Sequence, residues 1–138
     1  LYAEPGRVRH QASPLLTLAA TRGKLLELIA EKTQPKQRHV ADVAFTVGIM
    51  SLMDTLFGAP MVEILKEISV AEAVSDALLE GKGVYGDMLR LCESLERIDE
   101  ADALILPLVR KLGLSIDELY QLELRAFEWV NSISQVMY

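Results

Sequence analysis

The stretch from Val40 to Phe57 is apolar almost all the way round a helix, and this limits what the rest of the chain can be. A helix that is apolar on one face covers a core from one side. A helix apolar on every side has to be enclosed by several neighbours. The stretch is therefore predicted as the central helix of an all-α fold. Its two sides differ in bulk. Ala41, Ala44, Gly48, Ser51 and Thr55 recur at steps of three and four and form a face of small side chains. Phe45, Ile49, Leu52 and Leu56 form the opposite, bulky face. A glycine inside a helix costs about 1 kcal/mol relative to alanine. Gly48 is expected to offset that cost by letting a neighbouring backbone come close, which makes it a candidate pivot between helices. Gly58 suits the left-handed position just past a helix end.

Six further helices are expected around this one, about seven in all in a single domain. Residues 1–12 read as an irregular segment, with a turn at Pro5-Gly6. Ser13 then caps a helix that opens on Pro14 and runs to Ala30. Shorter helices follow over Pro60–Ile68 and Glu72–Glu80. The Gly81-Lys82-Gly83 sequence ends the second of these, and Gly81, Gly83 and Gly86 frame a turn. Tyr85–Arg97 carries Tyr85, Met88, Leu89, Cys92 and Leu95 on one stripe, so Cys92 reads as a core residue. Asp99–Leu112 contains Pro107, which is expected to kink or break it. Ser115 and Glu118 form a capping box for a last helix, from Ile116 nearly to Tyr138. That helix carries two adjoining apolar stripes: Ile116, Leu119, Tyr120, Phe127, Val130 and Met137; and Leu122, Ala126, Trp129, Ile133 and Val136. A face that wide either lies wholly in the core or leaves part of itself, Trp129 included, for a partner or a second copy.

Residue chemistry offers little to a catalyst. The only histidines are His10 and His39, and His39 with Asp42 makes a meagre metal site where a helical phosphohydrolase needs several converging ligands. Cys92, the single cysteine, has no histidine near it in sequence and can form neither a disulfide framework nor a cysteine zinc site. No phosphate-cradling glycine loop is present. Glu93, Glu96, Glu100 and Asp102 read as a solvated helix face. No catalytic residue, metal ligand or cofactor is therefore assigned. The net charge is −6 and unevenly spread: residues 1–38 hold seven basic and three acidic residues, which leaves −10 for the remainder. An acidic body disfavours nucleic acid. The uncharged run Val43–Met53 has eleven residues, too short for a bilayer span. No signal peptide is visible, a cytoplasmic setting fits, and a start at Leu1 reads as a piece of something longer.

Two charged residues close to apolar faces need partners. Asp54, near the end of the central helix, would meet the negative end of its dipole. Arg22 lies within the first helix. The two are expected to pair with one another.

The central segment Ala44-Phe45, then Gly48-Ile49-Met50-Ser51-Leu52-Met53-Asp54, resembles the "AF..G..SLLD" pattern of HDOD domains. Ser13-Pro14-Leu15-Leu16, Ala20, Arg22 and Glu27 are similar to the preceding helix of that family. Ala77-Leu78-Leu79, Gly83, Gly86, Leu89 and Glu96 are similar to its "ALL…G..G.LL…E" stretch, and Ala126-Phe127-Glu128-Trp129 resembles the "A..W" of the final helix in proteins joining an EAL domain to an HDOD domain. The resemblance covers residues 13–138 and places them as the later half of an HDOD domain plus C-terminal helices, related to the HD-domain superfamily but without its metal residues. It implies a bacterial, non-catalytic signal-output module acting through protein partners, chiefly an attached EAL-type cyclic di-GMP phosphodiesterase, with a homodimer also in view. The rival expectations are part of a phosphodiesterase or HD-type hydrolase whose catalytic residues lie outside this stretch, and a plain dimerisation scaffold.

Overall fold

The computed structural model describes residues 14–137, with side chains outside 98–102 and 135–137. The expected irregular segment over 1–12, the Ser13 cap and His10 lie outside the described residues. Among those described, every regular element is a helix: α1 (Pro14–Thr33), α2 (Arg38–Met50), α3 (Met53–Phe57), α4 (Met61–Glu67), α5 (Glu72–Glu80), α6 (Gly83–Glu96), α7 (Ile98–Leu112) and α8 (Ile116–Met137). The count exceeds seven because the central helix divides. At Ser51 the hydroxyl donates to the Gly48 carbonyl at 2.7 Å, and Ser51-Leu52 forms a turn before α3 begins.

Local sequence sets most of the helix ends. Thr33 returns its hydroxyl to the Ile29 carbonyl at 2.8 Å, so α1 runs past Ala30. Gly81 (φ 65°) and Gly113 (φ 81°) end α5 and α7 in the left-handed conformation that favours glycine. The capping box of α8 forms in both directions: Ser115 N–H donates to Glu118 Oε1 at 2.9 Å, and Glu118 N–H donates to Ser115 Oγ at 3.1 Å. Gly86 packs its α-carbon against the Gly81 carbonyl, where any Cβ would overlap that peptide. Pro107 does not break its helix, since α7 continues from Ile98 to Leu112 around it. The proline sits exposed, where water can satisfy the carbonyl that loses its partner.

α1 packs chiefly on α2 and also on α8 and α6, while α6 carries α5 and α7. Leu25, Leu26 and Ile29 of α1 meet Val40, Ala41, Ala44, Val47 and Met50 of α2, with Met88, Leu91 and Cys92 of α6 and Leu119, Leu122 and Ala126 of α8 closing the core. The run Arg38–Phe57 is long and apolar enough to cross a membrane by length and composition alone. It exceeds the eleven uncharged residues because it takes in Arg38, Asp42 and Asp54, which its apolar neighbours outweigh. Burial accounts for only part of that apolarity: 39% of the run is buried, through Val40, Ala41, Ala44, Val47, Gly48 and Met50 of α2, while Phe57 of α3 is exposed. The small face of the central helix ends at Ser51, since Thr55 is exposed on α3. Neither α3 nor α4 contains a fully buried residue.

Neither stripe of α8 is wholly internal. The buried line is Leu119, Leu122, Ala126 and Val130, drawn from both stripes. Tyr120 (44% exposed) and Phe127 (51%) stand outside it. α1 is the main neighbour of α8, and one helix covers only part of so wide a face.

At the crossing of α1 and α2 a Cβ on Gly48 would lie 2.5 Å from both the N and Cα of Gly23 and 2.6 Å from the carbonyl carbon of Arg22. Two helix backbones touch there with no side chain between them. Gly48→Ala should cost about 3 kcal/mol, the upper range for overpacking, because backbone rather than a flexible side chain stands in the way. Gly58→Ala meets open space and only a left-handed φ of 65°, so about 1 kcal/mol is expected. Urea titrations followed by circular dichroism should rank the two variants in that order.

Candidate functional site

Arg22 is directed inward from α1 and is 8% exposed. Its guanidinium grips Glu96 of α6 in two places, Nε to Oε2 at 2.8 Å and Nη2 to Oε1 at 2.7 Å. Nη1 donates to Ser51 Oγ at 3.0 Å and lies 3.6 Å from Glu93 Oε2. The bidentate geometry is the strong form of the arginine–carboxylate bond. Burial works against the charge on Arg22, but its bonds and attraction to Glu96 more than offset this, and its pKa stands above the ordinary value. One side chain thus ties together α1, the end of α2 and α6.

This corrects the expected Arg22–Asp54 pair. The helix breaks at Ser51, so Asp54 falls in the first turn of α3. It sits at the positive end of a dipole there and needs no cation. Its Oδ1 accepts the Thr55 N–H at 2.9 Å. It also corrects the reading of Glu93 and Glu96 as a solvated face. Glu96 follows Leu89 and Cys92 at steps of three and four, so it continues the buried stripe of α6 to its edge. That spacing was the signal that could have identified it.

Cys92 is 2% exposed, and its thiol approaches Glu96 Oε2 at 3.9 Å. Burial pushes its pKa far up, and the charges of Glu96 and Glu93 add to the effect while Arg22 opposes it. It is a packed thiol and not a nucleophile. His39 and Asp42 are exposed at the start of α2. Among the described residues no three His, Cys, Asp or Glu side chains gather where a metal could be held.

Trp129 is half-buried on α8. Its ring meets the Phe45 ring edge-on at 6.2 Å and 88°, and the Lys24 ammonium lies 4.9 Å from its centroid. It clasps α8 to α1 and α2. On the other flank of α8 a groove of about 760 Å³ opens against the start of α1, with Leu18, Phe127 and Val130 among its lining. A smaller recess of about 410 Å³ shares Leu18, Thr21 and Phe127 with it and reaches Cys92, Glu96 and Glu123. The Arg22 cluster and the groove therefore lie side by side along α1. The sequence held no sign of Gly23 as the partner of Gly48, or of Glu123 as a groove residue.

Removing the guanidinium in Arg22→Met leaves Glu96 and Glu93 facing each other at the core edge. Wholly buried broken pairs cost about 3–5 kcal/mol and exposed ones under about 1 kcal/mol. The Glu96 side chain is 25% exposed, so a loss of roughly 2 kcal/mol is expected. Asp54→Asn should change stability by less than about 0.5 kcal/mol. Thermal melts of the two variants check the assignment of partners. Glu123 gives a pH test. Burial raises its carboxyl pKa above the ordinary value, so the folded chain binds that proton more tightly than the unfolded one. The associated stability is full below the unfolded value of about 4.3 and is lost as pH rises through the raised folded value. Glu123→Gln should flatten that decline and leave the protein more stable than the parent at pH 7.

The chain is distantly homologous to two curated proteins. It is 30% identical over 121 residues to Uncharacterized protein YuxH of Bacillus subtilis (strain 168), covering 86% of this chain and 27% of that protein. It is 26% identical over 127 residues to Cyclic di-GMP phosphodiesterase CdgJ of Vibrio cholerae serotype O1, covering 89% of this chain and 28% of that one. No family model and no solved structure matches the chain. The homology is consistent with an HDOD-type domain, and the chain spans little more than a quarter of the length of either relative.

Proposed function

We propose that this chain is a non-catalytic signal-transduction and protein-interaction module that regulates an attached EAL-type cyclic di-GMP phosphodiesterase domain. The observation that carries the reading is the alignment of nearly the whole chain with about a quarter of a protein named as a cyclic di-GMP phosphodiesterase. The HDOD-like order of Ala44-Phe45, Gly48, Ser51-Leu52 and Asp54 adds to it. In this reading residues 13–138 are the later half of an HDOD domain with its C-terminal helices, the protein is bacterial and cytoplasmic, and its partners are proteins, the attached domain first and a second copy next. Neither nucleic acid nor membrane is among them.

The interior polar groups support a contact role. Arg22, Glu96, Glu93 and Ser51 bond to one another and hold helices together. The crossing of Gly23 and Gly48 supports a mechanism for that role. Backbones in direct contact leave no side chain to deform, so in this reading α1 and α2 would move as packed bodies. A partner that binds one packing more tightly than another shifts the population towards it and so biases the attached domain.

The name of the Vibrio relative favours one alternative, a phosphodiesterase whose catalytic residues lie outside this stretch. In both readings the isolated chain is inert. Incubated with magnesium or manganese and cyclic di-GMP, it should release no linear dinucleotide and retain no stoichiometric metal after dialysis. Turnover by the chain itself would end the non-catalytic reading.

A further inference from the structure

The groove between the start of α1 and the later part of α8 carries apolar surface, and the charged residue in its lining is acidic. Leu18, Phe127 and Val130 supply apolar surface, and Phe127 is 51% exposed. Leu16 and Leu124, on the same two helices, are each 54% exposed. Among the described residues, the charged ones lining the groove and its recess are Glu128, Glu96 and Glu123, with no lysine or arginine. These carboxylates differ in what they already hold. Glu96 is bonded twice to Arg22. Glu123, one turn before Phe127, has no hydrogen bond or ion pair among the described residues, although it is partly buried. A desolvated carboxylate with no internal partner works against the stability of its own fold. Such a group beside exposed apolar surface is complementary to a cation that arrives on another chain.

We infer that this groove is a docking site for an amphipathic helix of a protein partner, which lays apolar side chains on Leu18, Phe127 and Val130 and sets an arginine or lysine against Glu123. The groove lies between two helices and is open to solvent, so it matches the helix-in-groove mode, in which anchors recur at i, i+3, i+4 and i+7. This rests on reading the chain as a contact module, and it names the chemistry of the contact.

The test is selection of displayed 16-residue helical peptides, randomised on one face, against the full chain. Recovered peptides should carry apolar residues at that spacing and a basic residue beside them. Measured by fluorescence anisotropy, their affinity should fall at least tenfold with Phe127→Glu. It should fall about tenfold with Glu123→Gln, roughly the strength of one charge-assisted bond, although that variant folds at least as stably as the parent. Circular dichroism confirms the fold of each. Failure to recover any peptide, recovery of acidic ones, or indifference to Phe127→Glu would overturn the inference. So would a dimer in sedimentation that Phe127→Glu dissolves, since the occupant would then be a second copy. A tenfold gain in affinity on replacing Arg7 and Arg9 with alanine would give the groove to the chain's own start instead. A chain that hydrolysed cyclic di-GMP yet selected basic helices would end the regulatory reading and leave the groove assignment standing.

Discussion

The contact of Gly23 with Gly48 governs how α1, α2 and α6 are placed. With no side chain at the crossing, α1 and α2 approach until backbone meets backbone. Arg22 is the residue before Gly23, so the approach carries its guanidinium across to Ser51 at the end of α2. From there the same guanidinium reaches Glu96, and α6 is fixed against both helices. The order of cause is steric first and electrostatic second. A larger residue at either glycine would move α1 outward, and the bidentate bond would lose its geometry.

The Ser51 hydroxyl links the two effects. It donates to the Gly48 carbonyl and accepts from Arg22. The end of α2, the crossing and the buried charge therefore share one small side chain. The break in the central helix has the same origin. Its consequence for Asp54 is a reversal of sign, because a carboxylate that would have stood at a helix C-terminus stands instead at an N-terminus.

Features encoded by neighbours in sequence were legible. The capping box at Ser115 and Glu118, the glycine stops at Gly81 and Gly113, the packed Cys92 and the close approach at Gly48 all follow from spacing and from residue type. The partner of Arg22 was not legible, because Glu96 lies 74 positions away and periodicity does not encode pairing between distant elements. Pro107 misled for a related reason. Its cost depends on whether the freed carbonyl is buried, and the fold leaves that turn exposed. The wide face of α8 was visible, but its division into a buried line and an exposed flank depended on how many helices cover it.

The two polar groups of opposite fate, Glu96 and Glu123, suggest how a contact at the groove would be felt by the core. Both line the same recess with Cys92 and Leu95. Thr21 lines that recess too, one residue before Arg22 on α1. A cation placed on Glu123 would therefore lie close to the carboxylate that holds Arg22, and would alter the field in which that pair sits. The effect could act on helix packing only to the extent that the partner binds one arrangement better than another. Backbone contact at the crossing makes intermediate arrangements costly, since neither glycine has a side chain that could fill a gap. Under the proposed contact role, a partner at the recess would therefore act by favouring one whole arrangement of these helices over another, rather than by deforming the crossing.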